Sequence, residues 1–541
     1  MKRAIIILAL VAVVALPFIL RPKKPEKAGG GDIVVIVTPH NEAIRYEFGE
    51  AFERWYQART GRNVRIDWRV LGGTSEIARF LDSEYITSFQ NYWVNQLGKP
   101  WSTEVQSGSQ NGRLPADAPA IAKEARATFL ASNVSCGIDL FFGGGTYDFA
   151  KQATAGRFVK SAIVDTHPQW FNDDVIPLRY AGEEYRDKDG LWIGCVVSSY
   201  GIIYNRDSLA RLGVTELPTG WADLTSPRYY GEVALCDPTK SGSIAKAFEN
   251  VIQQQMQLSL ESLRAKDPGA PAKTTEAAAV REGWVRGLQI LQLVGANSRY
   301  FTDTSQKPPI DVSTGNCAVG MCIDFYGRGQ AEAALRRGGS DRLGYVSPPG
   351  GTVSSVDPIG VLRGAPHRDV AEAFIEFVLS PDGQQLWNQK PGTPGGPEQY
   401  ALRRLPVRRD YYTRPEWTAY RSDPEANPFN QKDPLIYRPE WTAGIFREMA
   451  FIIRVMCQDT HDELREAWRA INAPGVSADN RARALAVLQD LAPVSYERTG
   501  KEIKQALGSK NKVDELRMAN ELADAFRKQY RRAVEIARGA D

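Results

Sequence analysis

The feature that most constrains this chain lies between residues 33 and 70. Residues 33–37, IVVIV, form a continuous β-branched run, the pattern of a strand buried on both faces. Ile44, Phe48, Phe52 and Trp55 then recur at helical spacing, with Gly61 as a stop signal. Val64, Ile66, Trp68 and Val70 alternate as a second strand. A strand–helix–strand opening predicts α/β architecture, with a parallel sheet and helices on its faces. Similar units recur. IDLFF (138–142) runs into a glycine-rich turn, and GEVALCDPTKSGS (231–243) precedes a helix carrying Phe248, Val251 and Ile252. CAVGMCIDF (317–325) reads as another strand, and a helix with Val370, Phe374 and Phe377 is predicted over 368–379. A polar, Trp-bearing and partly helical insertion occupies 85–135, and 391–440 is an irregular crossing segment rich in Pro, Gly, Arg and Tyr. Beyond 441 the pattern turns helical, through Ile445, Met449, Ile452 and Met456, then 461–471, 477–491 and 513–538, with Ser477 as an N-cap. A chain of 541 residues is too long for one hydrophobic core and is expected to divide into domains.

Charge narrows the function classes. Lys+Arg number 67 against 64 Asp+Glu, a formal charge of +3. Lys2, Arg3, Arg21, Lys23, Lys24 and Lys27 against Glu26 concentrate positive charge at the start, leaving the rest slightly acidic. That argues against a nucleic-acid-binding body. Residues 4–20, AIIILALVAVVALPFIL, follow Lys2–Arg3 in the layout of an export signal. At about 1.5 Å per residue the run reaches about 26 Å, the short end of a membrane span. Without a small-x-small cleavage site before RPKKPEK, a cleaved signal and an uncleaved inner-membrane anchor both stand, and either places the body outside the cytoplasm. The first cysteine is Cys136, so a lipoprotein anchor is excluded. An oxidising compartment permits disulfides, with Cys195–Cys236 the pair to test, although most of the cysteines sit in apolar segments that suit buried thiols.

Three segments place small or polar residues just after a predicted strand: Thr38-Pro39-His40-Asn41, Gly143-Gly144-Gly145-Thr146 and Ser241-Gly242-Ser243. Loops at the carboxyl ends of parallel strands are where open α/β sheets bind ligands. The last segment opens a helix whose first amides lack intrahelical partners, an arrangement that attracts phosphate, carboxylate or sulfate. The alternatives are ordinary ones: Ser241 or Ser243 as an N-cap, the glycines as a bare turn, His40 as a helix-end hydrogen-bonder. Tyr326 and Arg328 end the strand of residues 317–325 with a phenol and a guanidinium. The glycine run departs from GxGxxG and from GxxxxGK[ST], and neither a GxSxG elbow nor an HExxH pair is present, so no catalytic activity is predicted.

In order along the chain, IVVIVTPHNEAIRYEFGEAFERWYQARTG, GIDLFFGGGTYDFAKQATAGRFV, WIGCVVSSYGIIYN, GWADLTSPRYYGEVALCDPTKSGSIAKAF, FTDTSQKPPIDVSTGNCAVGMCIDFYGR, AEAFIEFVLSPDGQQLW and LPVRRD resemble the extracellular solute-binding proteins of ABC importers. The resemblance covers roughly residues 33–410 and is strongest to the ferric-iron-type family. It implies a type II periplasmic-binding-protein fold: two α/β lobes with hinge strands, here with a helical C-terminal extension. The expected division is signal or anchor and linker (1–31), lobe 1 (32–197), lobe 2 (198–348), a return to lobe 1 (349–440) and the extension (441–541). The resemblance implies capture of an anionic solute or chelated metal in the interlobe cleft by hinge closure, delivery to an ABC permease, and a monomer that is not an enzyme. The competing readings are a membrane-anchored extracytoplasmic sensor or scaffold on the same fold and, behind it, an enzyme built on that fold. Ligand-binding positions carried over or read from the loops are His40, Asn41, Gly144, Gly145, Thr146, Ser241, Gly242, Ser243, Ser305, Tyr326 and Arg328. His40 and Tyr326 fall where the family binds Fe³⁺. The family's second strand-end tyrosine is Phe325 here, and its acidic ligand is replaced by Gly143–Gly145, so the set offers a hard cation few anionic oxygens and suits a chelating anion or a metal-free organophosphate as well.

Overall fold

The computed structural model describes residues 31–431, 433–509 and 511–539. The signal or anchor of residues 4–20 lies outside the described residues. Among the described residues no helix is long and apolar enough to cross a membrane.

The first lobe opens with β1 (Asp32–Val37), α1 (Glu42–Thr60) and β2 (Val64–Arg69). Asn41 Oδ1 caps α1 by accepting from the Ile44 amide, and Gly61 ends it in the left-handed region. β1 pairs in parallel with β2, Val34 opposite Ile66, and with β3 (Leu140–Phe142), Ile36 opposite Leu140. The helix of Thr74–Asn91, here α2, leads into a helical insertion, and α3 (Thr146–Ala155) follows β3. Two further strands, β4 (Phe158–Val159) and β5 (Ile193–Ser198), complete the outward path.

Ser199 alone separates β5 from β6 (Tyr200–Asn205), so the chain passes directly from one sheet into the other. The second lobe adds β7 (Val233–Cys236), α4 (Gly242–Lys266), α5 (Ala272–Asn297), β8 (Ser298–Thr302), β9 (Val319–Ile323), α6 (Asp324–Gly338) and β10 (Leu343–Val346). Residues 347–354 return to the first sheet, which gains β11 (Ser355–Leu362) and β12 (Leu405–Pro406). The sheet orders are β12-β5-β11-β3-β1-β2, with β4 on β11, and β8-β7-β9-β6-β10. This is the two-lobed, hinge-stranded arrangement of the type II fold.

Two sequence expectations need correction. The sheets are mixed, not parallel throughout: β5, β11 and β12 run antiparallel to their neighbours, as do β6 and β10. β6 and β11, the strands by which the chain enters each sheet from the other lobe, arrive from its far end and so run against the strands beside them. The Cys195–Cys236 disulfide does not form; the two residues lie in β5 and β7, in different sheets, and both are buried free thiols.

The chain crosses a third time. Near Tyr437 it touches both lobes: its amide donates to Ala181 O (2.9 Å), and its hydroxyl donates to Glu249 Oε1 on α4 (3.0 Å). Helices α7 (Phe446–Ile453), α8 (His461–Ile471), α9 (Ala478–Leu488) and α10 (Lys512–Ala537) then pack on the second lobe. Ser477 Oγ accepts from the Asn480 amide and caps α9. These helices share one apolar core with α4 and α5. Two indoles inside that core are paired: Trp468 Nε1 donates to Asn297 Oδ1 (2.8 Å), and Trp284 Nε1 donates to Val494 O (2.8 Å). Phe526 of α10 is fully buried there. Phe526→Ala is therefore expected to cost about 3–5 kcal/mol in denaturant unfolding. The second lobe and extension should unfold in one transition; two separate transitions would show an extension that folds by itself.

Candidate functional site

The sequence-predicted residues fall into two neighbouring groups between the lobes, with one residue apart. The first group surrounds a cavity of about 150 Å³. Gly144, Gly145 and Thr146 approach it from the first lobe, and Gly242 and Ser243 from the second, with Asp357 of β11 at the hinge. The glycines are required by close approach. A Cβ on Gly143 (φ +90°) would lie 2.4 Å from the His40 ring, and one on Gly144 (φ +121°) 2.5 Å from Thr74 Cγ2. Ser241 Oγ accepts from the Ile244 amide (3.4 Å) as the α4 N-cap, which leaves Gly242 and Ser243 amides at the cavity wall.

The second group adjoins the first through Asp357. His40 follows β1, its amide donating to Thr38 Oγ1 (3.1 Å). Its Nε2 lies 3.4 Å from Asp357 Oδ2 and 3.2 Å from Arg404 Nη1. Tyr326 on α6 faces Asn41 of the first lobe and Gln306 of its own. Ser305 immediately precedes Gln306 in the loop after β8. Arg328 stands apart, held by Asp324 Oδ2 (2.9 Å), Arg403 O (3.2 Å) and Asp423 (3.6 Å).

Sequence reasoning missed the residue at the centre of this junction, Arg404. Its side chain is 1% exposed, with Nη2 2.8 Å from Asp357 Oδ2 and donating to Ser198 Oγ at 2.6 Å. The guanidinium also lies 4.4 Å from the centre of the Phe325 ring. It thus joins both hinge strands to the second lobe. The signal available was the Arg403-Arg404 pair beside LPVRRD, two cations in an otherwise apolar stretch. Lys246 of α4 was also missed. It bridges the lobes, 2.6 Å from Glu183 and 2.8 Å from Glu249, with its ammonium over the Tyr437 ring.

Burial and charge set the protonation states. Burial lowers the His40 pKa, and the Arg404 charge adds to this against the hydrogen bond with Asp357, so the ring is held neutral. Burial opposes ionisation of Asp357, but Arg404 and then His40 hold its carboxyl below the usual value. Burial likewise opposes the Lys246 charge, and Glu183 and Glu249 more than offset it. Burial pushes the Tyr326 phenol up, away from phenolate. It also raises Asp148 of α3, whose carboxylate sits 3.3 Å from where a Cβ on Gly242 would be, to about 6, despite Lys151 and Arg79 nearby.

Two outcomes follow. Arg404→Met should destabilise the fold by about 3–5 kcal/mol in urea titration, because Asp357 is left charged and unpaired. Adding Asp357→Asn should recover part of that loss; no recovery would mean that packing, not charge pairing, holds the junction. For Asp148, a folded pKa near 6 against 3.8 unfolded means stability is lost as pH rises between those values. Asp148→Asn should be more stable than the parent by about 3 kcal/mol at pH 7, with the gap closing as pH is lowered to 4. An equal gap at both pH values would contradict the burial of that charge.

Residues 137–409 match the family described as bacterial extracellular solute-binding protein. An uncharacterized protein of Haemophilus influenzae is 24% identical over 288 residues, covering 48% of this chain and 74% of its own length. The phosphoglycerate transport regulatory protein PgtC of Salmonella typhimurium is 25% identical over 196 residues, 36% of this chain. The match spans only 40% of PgtC. Among solved structures, the periplasmic binding protein AfuA from Actinobacillus pleuropneumoniae aligns with a TM-score of 0.48 at 17% identity, covering 81% of this chain and 98% of that one. With the family match extending over half its length, on a two-lobed frame with a cavity between the lobes, this chain belongs to the bacterial extracellular solute-binding proteins.

Proposed function

We propose that the protein captures a small anionic organic solute between its lobes, outside the cytoplasm, and presents the closed complex to an ABC permease. The observation that carries this reading is the α4 N-terminus. Its free amides at Gly242 and Ser243 open onto the interlobe cavity opposite Gly144–Thr146. Solute held first by one lobe would gain contacts from the other only on closure, and such differential contacts drive a hinge motion. No bond is broken.

The cavity also carries carboxylates. Arg404 pairs Asp357 and Arg179 pairs Glu184, but Lys246 is shared by Glu183 and Glu249, so one charge of that pair and Asp148 must be outweighed by the α4 amides. A bare ferric cargo fits the residues poorly. Among the described residues no group of three or more His, Cys, Asp or Glu gathers to hold a metal. The two carried-over ligands, His40 and Tyr326, lie beside the Arg404 guanidinium, which repels a cation, and the Tyr326 phenol resists ionisation. The phosphoglycerate named for PgtC is the kind of solute these residues suit.

Thermal melts against 3-phosphoglycerate, glycerol 3-phosphate, citrate, ferric citrate and ferric chloride test the reading. A ligand at a hundred times its Kd adds about 2.7 kcal/mol, about 2–3 °C for a chain of this length. One of the anions should give that shift without iron. Ser243→Asp should abolish it while leaving the unliganded melt unchanged, since an acid suits a helix N-terminus but repels the solute. A shift with ferric chloride alone would overturn the proposal.

A further inference from the structure

A larger compartment adjoins the inner cavity. Its volume is about 570 Å³, and it shares Tyr147, Asp148, Gly242 and Phe446 with the inner one. The same helix terminus therefore lies between the two. Three parts of the chain wall this compartment: α2 and α3 from the first lobe, residues 238–242 from the second, and α7 and α10 from the C-terminal extension. Its lining holds more cations than acids: Arg79, Lys151, Lys240, Arg447, Arg454 and Lys512 against Asp82, Asp148 and Glu515, with Lys240 also paired to Asp303 (2.6 Å) and Arg454 to Asp459 (3.3 Å) from outside it. Glu515 is shared by Arg447 (2.9 Å) and Lys512 (3.4 Å), so one carboxylate serves two cations. Arg79 forms no ion pair among the described residues.

The size of the inner cavity bears on this. At about 150 Å³ it is below the roughly 300–1,000 Å³ usual for pockets that enclose a whole small ligand. A solute larger than a few heavy atoms must extend past Gly242 into the outer compartment. There it meets cations that the extension supplies.

We infer that the extension completes a second anion subsite, and that the solute is an elongated molecule with a phosphate at each end. One phosphate sits at the α4 N-terminus and the other among Arg447, Arg454 and Lys512. This rests on the functional reading above and narrows it from an anionic solute to a bisphosphorylated one. A macromolecular partner is disfavoured because the compartment lies between three parts of the chain and continues inward to the cavity.

Calorimetric titration of the full chain with glucose 6-phosphate and glucose 1,6-bisphosphate tests it. The two probes share one scaffold and differ by one terminal phosphate. The bisphosphate should bind at least tenfold more tightly, with a steeper loss of affinity as salt is raised. Arg454→Ala with Lys512→Ala should remove that advantage and leave the monophosphate unchanged. Both side chains are well exposed, at 47% and 79%, so the fold is not at risk, and an unaltered melting temperature checks this. If the monophosphate binds and the bisphosphate binds no better, the second subsite is wrong and the functional reading stands. If the double variant weakens both probes alike, the subsite is also wrong. If neither probe binds, the bisphosphate inference falls, and the functional reading is decided by the melts against its own anions.

Discussion

The arrangement of this molecule depends on one buried guanidinium. Arg404 lies where the two crossing strands leave the first sheet, paired with Asp357 on one and hydrogen-bonded to Ser198 on the other. The same group touches His40 at the end of β1 and covers the Phe325 ring of the second lobe. A buried charge is tolerated only when it is paired, so the ion pair with Asp357 ties strand end, hinge and opposite lobe together. It also sets the electrostatics of the cleft. With Arg404 in place, Asp357 is ionised and His40 is neutral, which leaves the junction without surplus negative charge for a metal cation.

The second organising element is the extension. Its helices continue the second lobe's core instead of forming a separate body. The crossing that leads to them runs beside the cavity, where Tyr437 contacts Glu249 and the Lys246 ammonium. A segment that the sequence marks as a helical extension is thus placed where it can shape the cleft. Asp148 shows the consequence. A carboxyl enclosed between the lobes, close to the α4 N-terminus, occupies the kind of position a solute's anion would take.

Much of this was legible in the sequence because local pattern and global fold agree. The IVVIV run, the helical spacing from Ile44 to Trp55 and the alternation from Val64 onward became β1, α1 and β2 within a residue or two. The helix of residues 368–379 has those same bounds in the structure. Strand direction was not legible, because a strand that enters from another lobe carries the same buried apolar run whichever way it points. Arg404 was not legible as a hinge residue either. Its partners Asp357, Ser198 and His40 are distant in sequence, and pairing across such distances leaves no periodic trace. The Gly143–Gly145 turn could be seen, but the need for it could not, since that need is the room taken by the His40 ring and Thr74.

The central claim is that the lobes enclose an organic anion rather than a bare metal ion. Native mass spectrometry of the protein as its cell makes it, with elemental analysis of the same sample, tests this most directly. A retained small molecule that carries phosphorus and no stoichiometric iron is the result the account predicts. About one iron per chain with no accompanying organic anion would contradict it.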